Sequence, residues 1–210
     1  MWKFLVVGVL WLIFGALSAI GQGAPPLDTF TSPDGTFHFV YPQTYELLVG
    51  ERILKATQGR RQAISVCDFL TAVACVIYPI ESEQDARFEA AGFSVDTVLG
   101  VTNESDCLTY ADQLRHAQGD VPQPTSIAIN DHVYRHAVTL KKTPGHVQAA
   151  DFYRTYRGGK CYELHVKVSL TDDSSSQRSP SRPGSLGNPA ADNARESMRL
   201  ILSSVVFEPK

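Results

Sequence analysis

Residues 149–170 read AADFYRTYRGGKCYELHVKVSL, which is the clearest hairpin pattern in the chain. Gly158-Gly159 suits a two-residue turn of the primed type, in which both central residues adopt positive φ. After the turn, residues of one parity are consistently apolar, as in a strand with one buried face. Those that share this face are Tyr162, Leu164, Val166, Val168 and Leu170. The pattern predicts an antiparallel hairpin that joins Ala149–Arg157 to Lys160–Leu170.

The two-residue turn also predicts which side chains stand together. Arg157 would face Lys160, Arg154 would face Glu163, Tyr156 would face Cys161, and Phe152 would face His165. One face of the hairpin would therefore present a polar surface patch, made of Arg154, Tyr156, Glu163 and His165. Such a patch suits an anionic or planar ligand. The alternative is an ordinary cross-strand ion pair on a solvated or helix-covered face, which is the commoner situation.

Before this hairpin, the chain reads mainly as short strands and turns. Ser32-Pro33-Asp34-Gly35 has the residues of a tight turn, and Thr36 to Tyr41 then alternates like a half-buried strand. Further β-rich runs are Ala63–Cys67, Cys75–Ile80 and Phe88–Leu99, with Asp68–Ala74 short enough for a hairpin connection. A helix start at Thr102 to Ser105 predicts a helix to about Arg115, after which Gly119 to Pro124 breaks the chain.

The second half adds one more hairpin and a closing helix. Ser126–Ile129 and His132–Lys141 flank Asn130-Asp131, which suits a tight turn. A helix is expected from about Ala191 to Ser203, with a buried stripe of Ala194, Met198, Ile201 and Leu202. Val205–Phe207 would form a short last strand. These elements predict an α+β fold built mostly on antiparallel sheet.

The order of these elements resembles the Mog1/PsbP-like fold. The resemblance is carried by three segments, SPDGTFHFVYP at 32–42, GGKCYEL at 158–164, and the last helix with SSVVF at 203–207. It covers about Thr29 to Pro209, and the chain also looks like uncharacterised exported bacterial proteins. The resemblance implies a mostly antiparallel sheet flanked by helices, an α/β/α sandwich, in a binding or scaffolding module. It implies no catalytic residues.

The N-terminus has the pattern of a secretory signal peptide. Lys3 precedes an uncharged apolar run from Phe4 to Ile20, and small residues follow up to Gly23. Cleavage after Gly21 or after Gly23 fits equally well. We therefore expect residues 1–23 to be removed, residues 24–210 to form one domain, and the protein to be secreted or periplasmic. An uncleaved membrane anchor is the alternative, and only in that case would the protein be attached to a membrane.

Cysteine content agrees with export. The four cysteines, Cys67, Cys75, Cys107 and Cys161, lie after the leader, and an even number in an exported chain predicts two disulfides. Three pairings are possible, and we favour Cys67–Cys75 with Cys107–Cys161. Neither a thioredoxin-type redox site nor a paired zinc knuckle is indicated, because the chain has no C-x-x-C motif.

Composition restricts the classes of partner. Loss of Lys3 with the leader would change the net charge from −3 to −4, and no Lys/Arg block follows, so nucleic-acid binding is not expected. The segment from about 171 to 191 is rich in Ser, Pro, Asp and Gly, which predicts a disordered loop.

Motifs that carry chemistry are absent from the sequence. His132 and His136 form an H-x-x-x-H, but on a strand they would stand about 13 Å apart, too far to share one metal ion. No nucleophile elbow, metalloprotease helix or phosphate loop is present. We expect no catalytic site, no metal and no cofactor. The sequence predicts an exported, disulfide-stabilised binding or scaffolding domain with an unknown protein or small-molecule partner, and the alternatives are a small envelope hydrolase and a membrane-anchored partner protein.

Overall fold

The computed structural model describes residues 25–53, 55, 66–67, 71–80, 86–109, 124–171 and 187–208. In this part of the chain ten strands form two antiparallel sheets. The strands are β1 Leu27–Thr31, β2 Phe37–Pro42, β3 Glu46–Val49, β4 Ala72–Ile77, β5 Phe88–Thr97, β6 Thr125–Ile129, β7 His132–Thr143, β8 His146–Arg157, β9 Lys160–Thr171 and β10 Val206–Phe207.

The larger sheet has seven strands in the order β3-β4-β5-β9-β8-β7-β6, and the smaller has the order β1-β2-β10. Strands β6 to β9 are neighbours both in sequence and in the sheet, and short turns connect them into a meander. The turn between β6 and β7 uses Asn130 and Asp131, which both adopt positive φ. The β8–β9 hairpin has the predicted register, with Arg157 opposite Lys160.

The C-terminal helix, Pro189–Ser203, packs on one face of the larger sheet beside β2. It begins at the cap residue Asn188, whose side chain accepts a hydrogen bond from the Ala191 amide at 3.0 Å. At the other end, the Asn130 side-chain amide (Nδ2) donates to the carbonyls of Ser203 and Val205, at 2.6 and 2.9 Å. The β6–β7 turn therefore caps the helix, which fixes the helix on the sheet.

We call the side of the larger sheet under this helix the helix face. Its apolar core includes the predicted β9 stripe and the predicted helix stripe, together with aromatic residues of β2. The opposite side, which we call the polar face, carries Arg154, Glu163 and His165 from β8 and β9. A smaller apolar cluster lies on this second face and includes Leu48, Ile53 and Val66.

Both expected disulfides are present, Cys67–Cys75 and Cys107–Cys161, and they use all four cysteines. Each joins a strand of the larger sheet to a segment outside it, residues 66–67 in one case and the helical residues 104–109 in the other. Gly92 permits the first segment to lie close, since a Cβ there would stand 2.8 Å from Val66 Cγ2. The bridges thus hold chain segments over the polar face.

The α+β class and the antiparallel sheet are confirmed, but several local predictions were wrong. Val66 is helical, so Ala63–Cys67 is not a strand throughout, and β4 already begins at Ala72 within the supposed hairpin connection. Strands β1 and β3 were not predicted, because their exposed or partly buried residues give a weak pattern.

Other predictions fall wholly or partly on residues outside the described ones. The leader 1–23 lies there, as do the end of the helix that begins at 104 and most of the expected disordered loop at 171–191. At the edges of that loop, β9 ends at Thr171 and the C-terminal helix begins at Pro189. No helix among the residues described is long and apolar enough to cross a membrane.

Candidate functional site: a cleft at the hairpin tip

An open cleft of about 230 Å³ lies at one end of the two sheets, between β2 of the small sheet and β4, β5 and β9 of the large one. Its walls are apolar or weakly polar, and they are formed by Phe37, Val73, Thr97 and Tyr162. Its rim is formed by Pro33, Asp34 and Lys160. The volume is below the range of about 300–1,000 Å³ that is usual for drug-sized ligands. The cleft therefore suits one ring or one apolar side chain.

The Ser32–Gly35 turn fixes one side of the rim. Asp34 Oδ1 accepts hydrogen bonds from Ser32 Oγ at 2.9 Å and from the Thr36 amide at 3.1 Å. Gly35 has a φ of 65°, and its amide donates to the Ser32 carbonyl at 2.8 Å. Because these local bonds hold the Asp34 carboxylate, its second oxygen faces the neighbouring hairpin in a fixed position.

Lys160 completes the rim from the tip of the β8–β9 hairpin. Its ammonium donates to Asp34 Oδ2 at 2.8 Å, across 126 residues of sequence. The hydrogen bond from Lys160, followed by those of Thr36, lowers the pKa of Asp34 well below its usual range, and Asp34 in turn raises the pKa of Lys160. Both side chains are about half exposed, so the pair contributes little to stability.

A β-bulge places Val73 in the cleft wall. Ala72 lies opposite Asp96 and Ala74 opposite Val95, so Val73 is an extra residue without an opposite partner on β5. Bulges of this kind redirect a side chain and occur often beside binding sites. Phe37 and Tyr162 form the opposite wall, with their ring centroids 5.8 Å apart in an edge-to-face arrangement.

The expected surface patch is not a surface. Its residues lie in the predicted register, with Arg154 opposite Glu163 and Tyr156 opposite Cys161, but Arg154, Glu163 and His165 are buried, with Arg154 only 1% exposed. Tyr156 is partly buried, and its hydroxyl donates to the Thr102 carbonyl. The prediction of an exposed ligand patch was therefore wrong, because alternation along a strand identifies a shared face but not whether other chain segments cover it.

These buried groups instead form an ionic network. Glu163 Oε2 accepts from Arg154 Nε, and its Oε1 lies 2.5 Å from His165 Nε2. His165 Nδ1 stands 3.5 Å from Asp96, whose carboxylate also accepts from Ser94 Oγ at 2.7 Å and from Thr71 Oγ1 at 3.1 Å. Burial would raise the pKa of Glu163, but His165 and Arg154 outweigh burial and lower it to about 2.

A second buried carboxylate, Asp151, lies on the helix face. It accepts from Arg195 Nε at 2.8 Å and lies 3.2 Å from His136 Nε2, while Arg199 approaches at 3.4 Å. Burial would raise the pKa of Asp151, yet His136, Arg195 and Arg199 together hold it well below the usual range. Burial, helped by the charge of Asp151, raises the pKa of Tyr153 to about 12. The network connects the helix to β8.

The histidines occupy separate places, as expected for residues on a strand. His136 belongs to the Asp151 network, whereas the His132 ring lies edge-to-face against the Phe207 ring, with 6.0 Å between their centroids. Within the described ranges, no group of three or more His, Cys, Asp or Glu side chains could hold a metal ion.

The cleft itself was not predicted from the sequence. Asp34 was recognised as a turn residue and Lys160 as the start of a strand, but nothing in the sequence connects the two. Val73 was assigned to a loop. The cleft forms where two sheets meet, and a reading of local patterns gives no signal for contacts of this kind.

No protein-family model and no curated protein matches the chain. Among solved structures, a point mutant of Mog1 matches with a TM-score of 0.51 and 10% identity, over 87% of this chain and 96% of that one. The chain has a Mog1/PsbP-like fold. Since the identity is so low, the likeness concerns the Mog1/PsbP-like fold alone.

Two other solved structures match with slightly lower TM-scores and with similar sequence identity. LpqN of Mycobacterium tuberculosis, described as involved in cell envelope biogenesis, has a TM-score of 0.48 and 10% identity, over 88% of this chain and 91% of that one. Cyanobacterial PsbP from Synechocystis has a TM-score of 0.44 and 11% identity, over 92% and 99%. The chain covers 48%, about half, of a further matched structure from Bacteroides thetaiotaomicron.

Proposed function

We propose that the protein is an exported binding domain, and that the cleft at the hairpin tip holds one apolar group of its ligand or partner. The observation that carries this proposal is the cleft of about 230 Å³, walled by Phe37, Val73, Thr97 and Tyr162. Concave apolar sites with a few fixed polar groups at the rim are the usual form of a ligand site.

The polar groups of the rim support binding rather than catalysis. Asp34 already accepts three hydrogen bonds, and its lowered pKa keeps the carboxylate ionised and a poor proton acceptor. Lys160 is protonated near neutral pH at its ordinary pKa, and Asp34 raises that pKa further. Such groups orient a ligand at the rim but are unsuited to general acid–base work near neutral pH.

Export is supported by two independent features of the chain. The leader pattern at Met1–Gly23 is typical of secreted proteins, and all four cysteines form disulfides, which persist mainly in oxidising compartments.

Export can be tested by its effect on tryptophan. Both tryptophans, Trp2 and Trp11, lie in the leader. We therefore expect the secreted protein to lack tryptophan emission and to have an intact mass that starts at residue 22 or 24. Tryptophan emission from the secreted form would contradict cleavage.

The cleft can be tested with a small neutral probe, 3-phenylpropan-1-ol, in a titration followed by ¹H–¹⁵N NMR spectra. The amide signals of Val73, Thr97 and Lys160 should shift together. Val73→Glu introduces a charge into the apolar wall and should weaken binding by at least about tenfold. The matched control is Val133→Glu, which introduces the same charge at an exposed valine of β7 and should leave the affinity within about twofold.

The proposal fails if the shifted signals are spread over the whole domain. It also fails if Val73→Glu and Val133→Glu bind the probe equally well. A circular dichroism spectrum of both variants verifies that the fold is retained, so that loss of binding reports on the cleft.

A further inference from the structure

The tip of the β8–β9 hairpin carries two positive charges opposite one another. Arg157 and Lys160 are direct cross-strand partners, and like charges in such positions repel. Asp34 balances Lys160, with 2.8 Å between Lys160 Nζ and the carboxylate. Arg157 has no such balance, since its hydrogen bonds to described residues include no carboxylate. Among the described residues, its guanidinium contacts the Tyr156 carbonyl at 3.3 Å and His132 Nδ1 at 3.2 Å.

Two buried polar atoms beside this charge are also unsatisfied. Arg157 Nε and the Tyr134 hydroxyl are both buried, and neither has a hydrogen-bond partner among the described residues. The two groups are close enough for Arg157 to lower the pKa of Tyr134, although burial outweighs it and raises that pKa to about 12. Native structures rarely leave such groups without a partner, so a third group is expected to complete the site.

Aromatic contacts join this charged site to the cleft. The His132 ring lies 6.0 Å from the Phe207 ring, and Phe207 lies 5.0 Å from Tyr162 and 5.6 Å from Phe37. Phe37 and Tyr162 are the aromatic wall of the cleft, and Lys160 belongs to its rim. The apolar cleft and the unbalanced Arg157 thus lie at the same end of the molecule.

We propose that the ligand of the cleft is a small apolar carboxylic acid, whose apolar part enters the cleft and whose carboxylate pairs with Arg157. The inference rests on the proposed function of the same cleft. A guanidinium binds a carboxylate through two parallel hydrogen bonds, which favours the anion over a neutral or cationic group. To pair with the ligand, the Arg157 guanidinium would exchange its contacts with the Tyr156 carbonyl and His132 Nδ1 for the carboxylate.

The experiment compares 3-phenylpropionate with 3-phenylpropan-1-ol, two probes that share the same apolar group. The wild-type protein should bind the acid at least about tenfold more tightly than the alcohol, because only the acid gains a charge-assisted pair. Added salt should weaken binding of the acid and leave the alcohol unchanged. The Arg157 Nε–H signal in ¹H–¹⁵N NMR spectra should shift with the acid alone.

The variant Arg157→Gln removes the charge. It should reduce the preference for the acid to less than about threefold and leave affinity for the alcohol within about twofold. The matched control, Lys142→Gln, removes the same charge at an exposed position of β7 and should preserve the preference. If Arg157→Gln does not fold, the salt dependence and the Arg157 signal in the wild-type protein remain as readouts.

The outcomes separate the two proposals. Equal binding of acid and alcohol overturns the assignment of a carboxylate, while the cleft stays a binding site. Binding of neither probe overturns both proposals. Tighter binding of the peptide acid acetyl-Gly-Phe than of 3-phenylpropionate overturns the small-acid assignment in favour of the carboxyl terminus of a peptide.

Discussion

On the helix face of the large sheet, β9 packs its apolar side chains against the C-terminal helix and β2, whereas on the polar face the same strand buries Glu163 and His165. The helix face is covered by an element that carries its own apolar stripe and caps. The polar face is covered by chain segments that disulfides attach to the sheet. The same strand is thus buried on both sides, by apolar packing against the helix on one side and beneath disulfide-attached segments on the other.

The largest expected effect tests the ion network of the polar face. Arg154→Met leaves the buried Glu163 carboxylate without the Arg154 guanidinium and should lower the free energy of unfolding by about 3–5 kcal/mol. Urea denaturation measures this change.

A second variant separates charge from packing. Arg154→Met combined with Glu163→Leu removes both charges and should regain most of the lost stability.

The exposed pair at the cleft rim is the comparison. Lys160→Met breaks the pair with Asp34 and should lower the free energy of unfolding by less than about 1 kcal/mol. If Arg154→Met and Lys160→Met lower the free energy of unfolding by the same amount, burial does not determine how much these ion pairs contribute to stability.

The next largest effect concerns the disulfides. Replacement of Cys107 and Cys161 by alanine should destabilise the protein by about 2–4 kcal/mol, and more than the same change at Cys67 and Cys75. The reason is the longer loop, since the paired cysteines are 54 residues apart in the first bridge and 8 in the second.

Amide hydrogen exchange shows whether loss of the Cys107–Cys161 bridge loosens the polar face without loosening the helix face. Without Cys107–Cys161, amides of residues 104–109 should lose protection first, while those of the C-terminal helix should keep theirs. Equal loss of protection in both segments would show that the faces are not independently held.

The last expected effect is a change in the slope of the free energy of unfolding against pH. The pKa of Glu163 is lowered from 4.5 to about 2, so the unfolded chain binds its proton more readily than the folded protein. Stability from this group is therefore fully present above about pH 4.5 and is lost as the pH falls toward about 2. The uptake of one proton on unfolding changes the free energy of unfolding by at most about 1.4 kcal/mol per pH unit.

Unfolding of the wild-type protein and of the Arg154→Met, Glu163→Leu double variant across this range measures the slope. The double variant should show a shallower dependence, although Asp151 on the helix face still contributes to it. Identical slopes would mean that Glu163 titrates normally in the folded protein.

The sequence predicted most elements whose pattern is local. The β8–β9 hairpin follows from Gly158-Gly159 with alternation on both sides, and the C-terminal helix follows from its apolar stripe. The edge strands β1 and β3 were missed, because edge positions bury few side chains and so leave little periodicity. Val66 shows the converse case, since an apolar β-branched residue lies in a helical segment held by the adjacent disulfide.

The candidate site was less predictable than the fold. From Arg154, Glu163 and His165 the sequence indicated a shared face, which is correct, and an exposed ligand patch, which is wrong. Whether the polar face is exposed to solvent depends on segments distant in sequence that the disulfides hold over it. The cleft depends on Asp34 meeting Lys160 and on the bulge at Val73.

By itself, the sequence determined the hairpin register, the faces of β9, the helix stripe and the expectation of two disulfides, because each follows from local geometry or from an even number of cysteines. Tertiary structure alone decided that both faces of β9 are buried, where the cleft opens, which cysteines pair, and that no described carboxylate lies beside Arg157. The physical reason is that solvent exclusion and charge balance are sums over residues distant in sequence, whereas turns and periodicity are set by neighbours along the chain.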